Sequence, residues 1–324
     1  MRAIQYLEYG GAPVLTDLPR PACPSDGVVV QVAATGVCRS DLHAWKGDDP
    51  VPLPMVPGHE LAGVIDEVGP DATRWHVGDR VTVPFVSGCG QCEVCGRGDA
   101  QVCPDQRQPG FTDNGSFAEF VALVAADTNL IAIPDGIDMV TAASLGCRFA
   151  TAFRALHVHG RPQSDDLVAI FGCGGVGLSA VMIAKALGAR VVAVDVSDAA
   201  LAKAVEVGAD IAINSRASDP VAQIQDLGGA RVSIDALGRP ETAHASVLSL
   251  RRRGRHIQVG LLLGEAATSA IPMDRVVAHE LEIYGSHGMA AADYPAMLDL
   301  IASGALRPQD LVGTKMVSKR QARR

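Results

Sequence analysis

The stretch from Leu167 to Asp198 reads LVAIFGCGGVGLSAVMIAKALGARVVAVDVSD. It opens on an unbroken apolar run, Leu167 to Phe171, the pattern of a strand buried on both faces of a parallel sheet. A G-x-G-x-x-G pattern follows at Gly172, Gly174 and Gly177, with Gly175 and Val176 inside the same turn. An apolar helix pattern then runs from Leu178 to Leu187, and a second strand from Arg190 to Val194. Between a strand and a helix, such glycines let backbone amides close on a pyrophosphate, where unpaired N–H groups and the helix dipole favour anions. Asp195 stands eighteen residues past the last glycine. There it can accept hydrogen bonds from adenosine ribose hydroxyls and repel a 2′-phosphate, which favours NAD over NADP.

Four more strand-like runs follow, at Asp210–Ile213, Arg231–Asp235, Arg255–Val259 and Leu281–Tyr284, with helical patterns between most of them. Six parallel strands with helices on both faces make a doubly wound α/β sheet of Rossmann type. Upstream, the short runs GVVVQVAATGV, LAGVIDEVG and DRVTVPF are punctuated by Gly and Pro and predict an antiparallel β domain. At 324 residues, two domains are expected.

A formal charge of −8 implies no broad basic surface, so nucleic acid is not an expected partner. The runs RRRGR (Arg251 to Arg255) and SKRQARR (Ser318 to Arg324) are short and read as a solvated helix end and a tail. The N-terminal residues read as a first strand rather than a targeting segment. The uncharged run Leu167 to Ala184 contains four glycines and splits into strand, turn and helix, so no membrane span is expected. The expectation is a soluble, cytoplasmic protein, where clustered thiols serve metals more often than disulfides.

Four of the eight cysteines, Cys89, Cys92, Cys95 and Cys103, fall within GCGQCEVCGRGDAQVCP at 88–104. Their C-x2-C-x2-C-x7-C spacing, filled by Gly and polar residues, lets four sulfurs converge on a closed tetrahedral site that suits a structural zinc. An iron–sulfur cluster is the nearest rival, since Cys103-Pro104 matches a ferredoxin ending, but that pattern has a shorter last gap. Cys23, Cys38, Cys147 and Cys173 remain. Cys38, His59 and Cys147 are uninformative one by one: a lone buried Cys is usually a small hydrophobe, and a lone His a hydrogen-bonded residue.

Taken in order, GVCRSDLHAW, PGHELAG, VGDRV, the cysteine lobe, LGCRFATAF and the glycine fingerprint strongly resemble the zinc-dependent alcohol dehydrogenases of the medium-chain dehydrogenase/reductase family. The resemblance covers nearly the whole chain. It implies that Cys38, His59 and Cys147 are the three protein ligands of a catalytic zinc, with Glu60 beside them as a transient ligand. Three ligands leave one position for an alcohol oxygen. Lewis-acid coordination lowers a hydroxyl pKa from about 16 to about 7, or about 12 kcal/mol of favoured ionisation.

By the same resemblance, Asp41 holds the ligand histidine, although it could also cap a helix beginning near Leu42. Ser40 and His43 relay the proton outward, Thr151 packs near the nicotinamide ring, and Arg39 contacts the pyrophosphate. Backbone groups of Val259, Gly260 and Leu261 meet the carboxamide, and Phe85 and Trp45 could wall the cleft. Arg148 is expected to pair with Glu60 or to reach solvent. The implied domains are a GroES-like antiparallel β catalytic domain at 1–148 carrying the zinc lobe (88–104), an NAD-binding domain at 149–284, and a return to the catalytic domain at 285–324. That last part is expected to be shorter than in most of the family. The implied cofactors are NAD and two zinc ions per chain, the substrate a small alcohol or carbonyl compound, and the assembly a homodimer or homotetramer. The leading reading is an NAD-dependent zinc alcohol dehydrogenase. A polyol or formaldehyde-type dehydrogenase on the same scaffold, and a zinc- and NAD-binding protein without turnover, stay open beside it.

Overall fold

The structure, a computed structural model, describes residues 1–268 and 271–316. The basic run at 318–324 lies outside the described residues. Strands β1 (Arg2–Gln5) and β2 (Val14–Asp17) pair antiparallel. Strands β3 (Val28–Gly36), β4 (Glu60–Val68), β5 (Arg80–Thr82), β6 (Phe120–Leu123) and β7 (Ile131–Ala132) form an antiparallel sheet in the order β6-β3-β4-β5-β7. Val28, Val30, Leu61, Ile65, Val81 and Val121 bury its inner face.

The second half is a parallel sheet of β8 (Leu167–Phe171), β9 (Arg190–Asp195), β10 (Ile211–Asn214), β11 (Ala230–Asp235), β12 (Leu250–Gln258) and β13 (Glu282–Gly285). Its order is β10-β9-β8-β11-β12-β13. The direction of winding reverses between β8 and β11, which opens a crevice beyond the carboxyl ends of those strands. The apolar runs bury both faces by simple alternation. Val168 and Ile170 feed one core with Val181 and Ile183 of the helix Gly175–Ala186. Leu167, Ala169 and Phe171 feed the other with Ile224 and Val247.

That helix starts three residues earlier than its apolar pattern suggests, because its first turn is the glycine fingerprint itself. A Cβ at Gly177 would lie 1.7 Å from the Gly172 carbonyl oxygen, so only glycine lets helix and strand approach this closely.

RRRGR is not a helix end. It lies within β12, whose pairing with β11 jumps from Ala230↔Leu250 to Val232↔Arg255, leaving Arg251 to Gly254 as an irregular bulge. Its cations are matched by carboxylates of other segments: Arg251 pairs with Asp166, Arg253 with Glu280, and Arg255 with Glu282 on the neighbouring strand β13.

A continuous helical run links the halves: Met139–Ser144, a π turn at Leu145–Phe149, Ala150–Arg154 and a second π turn at Ala155–Gly160. The segment after β13 packs along this linker. Tyr294 donates to Leu145 O (3.3 Å), Met289, Met297 and Leu306 join the core of the parallel half, and Gly288 abuts Phe85. No helix among the described residues is long and apolar enough to cross a membrane.

Candidate active site and metal centres

Cys38 precedes the helix Arg39–Lys46, His59 precedes β4, and Cys147 lies in the first π turn of the linker. π turns recur at functional sites because they re-aim a side chain within a helix. Gly146 brings the linker in: its carbonyl accepts from Phe85 N at 2.9 Å, and a Cβ there would strike Val83 O at 2.9 Å. The result places Cys38 Sγ 3.9 Å from Cys147 Sγ. All three donor atoms lie within 4.8 Å of one another, and all three residues are buried.

Asp41 orients the imidazole. It is the third residue of the helix Arg39–Lys46, not the cap of one starting near Leu42; Cys38 holds the N-cap position. From there the carboxylate accepts from Cys38 N (2.7 Å), Gly58 N (3.2 Å) and His59 Nδ1 (3.1 Å). With Nδ1–H committed to Asp41, Nε2 is the ring atom left for a ligand. It is buried and has no hydrogen-bond partner among the described residues. The ring meets Phe111 and Phe85 edge-on, with centroids at 5.2 and 6.1 Å. Trp45 donates to Gly11 O and packs in the cluster that contains Phe111.

The charges ask for a cation. A hydrogen bond from Cys147, aided by His59, outweighs burial and holds the Cys38 thiol down to about 3. Cys147 is pushed well above the ordinary thiol range by that same bond and by burial. Burial opposes protonation of His59, but Asp41 and Cys38 together raise it to about 10. Without a metal only one thiol ionises, and a proton must neutralise it. Two thiolates at tetrahedral angles on zinc, with bonds of about 2.3 Å, sit about 3.8 Å apart. The observed separation and the orphaned Nε2 fit that geometry.

Glu60 is fully buried, and burial raises its pKa against the pull of Arg148. Its carboxylate turns away from the donors to the Arg148 fork, with Nε to Oε1 at 2.8 Å and Nη2 to Oε2. Ser40 Oγ lies 3.9 Å from Cys38 Sγ, and one turn on, His43 Nδ1 meets Asp48 Oδ2 at 3.1 Å near the surface. Thr151 is buried four residues past Cys147 on the linker. Arg39 is exposed, and no side-chain partner is recorded for it among the described residues.

The four lobe cysteines also have their sulfurs within 4.8 Å of one another. Cys92 and Cys103 sulfurs are 3.7 Å apart, Cys95 N donates to Cys92 Sγ, and Cys89 N to Cys103 Sγ. N–H groups of Gln91 and Cys92 lower Cys89 to about 7, while burial and the neighbouring sulfurs raise Cys95 to about 12. Four sulfurs this close together offer a donor set suited to one cation. The buried Asn129 amide clamps the base of the lobe, accepting from Gly88 N and donating to Gly88 O, both at 2.9 Å.

At the parallel sheet, Asp195 accepts from Cys173 N of the glycine turn (2.7 Å) and from Ser197 N (2.9 Å), and Ser197 caps the next helix. Gly172, Gly174, Gly175 and Val176 complete the turn, and nothing lies within 4 Å of a Cβ placed on Gly174. Val259 N and Gly260 N donate to Asp235 O, and Leu261 is exposed at the carboxyl edge of the sheet. Asp235 is a residue sequence reasoning passed over. Fully buried, it accepts from Leu237 N, Gly238 N, Thr242 Oγ1 and Gln258 Nε2, and so fixes the loops after β11 and β12. The only signal was an aspartate ending an apolar strand before Ala-Leu-Gly.

Residues 24–135 match the alcohol dehydrogenase GroES-like domain, and residues 175–303 match the zinc-binding dehydrogenase family. The chain is 38% identical over 313 residues to an alcohol dehydrogenase of Geobacillus stearothermophilus, covering 95% of this chain and 90% of the relative. It is 33% identical over 321 residues to an NAD-dependent alcohol dehydrogenase of Sulfurisphaera tokodaii, covering 95% and 91%. Its fold superposes on benzyl alcohol dehydrogenase of Acinetobacter calcoaceticus with a TM-score of 0.90 at 28% identity, covering 96% and 91%. With donor clusters, glycine turn and whole-chain identity in agreement, the chain belongs to the zinc-type alcohol dehydrogenases of the medium-chain dehydrogenase/reductase family.

Proposed function

We propose that this protein is an NAD-dependent oxidoreductase that interconverts an alcohol and an aldehyde or ketone, with two zinc ions per chain. The observation that carries the reading is the convergence of Cys38, His59 and Cys147 around a buried His59 Nε2 that has no partner among the described residues. These three would hold a catalytic zinc, and Cys89, Cys92, Cys95 and Cys103 a structural one. When bound, zinc supplies Lewis acidity toward a substrate oxygen, and NAD accepts hydride.

The chain's own residues do the rest. Asp41 fixes the His59 tautomer, in keeping with carboxylate–histidine–metal support. Phe85 and Phe111 keep that side of the site dry. Ser40 Oγ, beside Cys38, takes the substrate proton, and His43 at the surface passes it to solvent. Thr151 packs toward the nicotinamide side of the cleft, and Arg39 meets the pyrophosphate. The turn Gly172–Gly177 seats the phosphates. Asp195 accepts two backbone bonds at the end of β9, and a carboxylate there would repel a 2′-phosphate, which supports NAD over NADP. Val259 to Leu261 line the nicotinamide end. In this reading residues 1–148 form the catalytic domain, 149–284 bind the dinucleotide, and the segment from 285 closes back along the linker.

Metal analysis joined to an alcohol panel tests the proposal. The purified chain is expected to hold two zinc ions, and Cys38→Ser to lose one zinc and nearly all NAD reduction. Turnover persisting in Cys38→Ser without that metal would refute the mechanism.

A further inference from the structure

Arg148 does more than neutralise Glu60. Its stem lies on the first residue of the helix Gly175–Ala186: a Cβ at Gly175 would sit 2.4 Å from Arg148 Cδ and 3.3 Å from Nη1. Gly175 is therefore obligatory if Arg148 is to cross the glycine turn. Two guanidinium nitrogens, Nε and Nη2, are spent on the buried Glu60 carboxylate. For the third, Nη1, no hydrogen-bond partner is recorded among the described residues, and the side chain is 31% exposed. One cation thus faces two ways, toward a carboxylate beside the three-donor cluster and toward a turn whose free N–H groups and dipole attract anions.

We infer that Arg148 is a phosphate-binding and positioning residue, which shares its charge between Glu60 and the pyrophosphate of a dinucleotide seated on the Gly172–Gly177 turn. The inference rests on the dinucleotide reading above. A guanidinium suits the task because its planar fork can hold a carboxylate with one edge and donate to phosphate with another. Because Glu60 competes for that charge, seating of the phosphates and the environment of the buried carboxylate are coupled, and the coupling is reciprocal. Arg148 follows Cys147 directly, so a pyrophosphate held by Nη1 also fixes the linker turn that presents this donor.

Binding of two probes separates this role from a structural one. ADP-ribose carries the pyrophosphate and adenosine does not. Each is titrated against the full chain by competition with NADH fluorescence. Arg148→Gln alone leaves Glu60 buried without its partner and can unfold the chain, so the double variant Arg148→Gln/Glu60→Gln, which removes both charges, is measured beside it. Both are expected to bind ADP-ribose about tenfold or more weakly with adenosine unchanged. Glu60→Gln alone, which releases the guanidinium, is expected to bind ADP-ribose about fivefold more tightly. Equal loss for both probes, no loss in the double variant, or weaker ADP-ribose binding in Glu60→Gln each overturns the inference while leaving the dinucleotide reading intact. A wild-type chain that binds neither probe overturns both.

Discussion

The cysteine lobe draws its four donors from the segment Cys89 to Cys103 and leaves three of them half-exposed, whereas Cys38, His59 and Cys147 come from three distant segments and are all buried. The lobe is a local device. Its sulfurs accept from the backbone of their own loop, so few long-range contacts are needed to shape it. The three-donor cluster exists only once the antiparallel sheet and the linking helix have docked, and its geometry is set by their supports: Asp41, Gly146 and the π turn. Metal in the lobe should therefore govern stability, and metal in the cluster should govern chemistry.

The largest effect that could break this contrast comes from the lobe. Cys103→Ser is expected to remove one zinc and lower the thermal midpoint by about 10 °C, read by calorimetry with metal analysis. A midpoint within a degree or two of wild type would show that the lobe is not a structural clasp. Next comes Asp41→Asn, which keeps the shape but weakens the hold on His59 Nδ1. Affinity for the second zinc, measured by chelator competition, should fall about 10- to 100-fold while the lobe zinc stays. Asn129→Ala strips the buried Gly88 N–H and C=O of their partner and should cost about 2 kcal/mol in denaturant unfolding, with zinc still bound.

The smallest effect concerns the entry to the linker. Asp138 accepts from Thr141 N, Thr141 Oγ1 and Val140 N at the start of Met139–Ser144, and these bonds hold its carboxyl below the usual range. Asp138→Ala should cost about 1 kcal/mol at neutral pH. The folded pKa is the lower one, so the contribution is present above the unfolded value near 3.9 and fades as pH falls through the folded value. Urea midpoints of the two proteins should converge in strong acid. A gap that persisted there would assign the cost to something other than the carboxylate.

Legibility in the sequence follows the same division. The lobe and the Gly172–Gly177 turn were readable because their chemistry lies in contiguous spacing, and the doubly wound sheet followed from apolar runs with no polar face. Cys38, His59 and Cys147 carry no mutual signal along the chain, and only resemblance joined them. RRRGR misled because a strand was masked by charges that answer to Asp166, Glu280 and Glu282, which are far away in sequence. The helix expected from near Leu42 begins at Arg39, with a cysteine at the N-cap, a residue type rarely found there. Asp235 escaped notice because its partners are backbone groups of loops that touch only in the fold.

The π turn at Leu145–Phe149 holds one residue more than regular α spacing would use. Removing a residue there would let the linker wind as an ordinary helix, but the side chains that the widened turn aims would be re-directed. Cys147 would then lose the placement that brings its sulfur within 3.9 Å of Cys38 Sγ. A shorter, better-wound linker would be a sturdier helix in a disabled enzyme, so the irregular turn is a defect that selection for thermal robustness alone would erase.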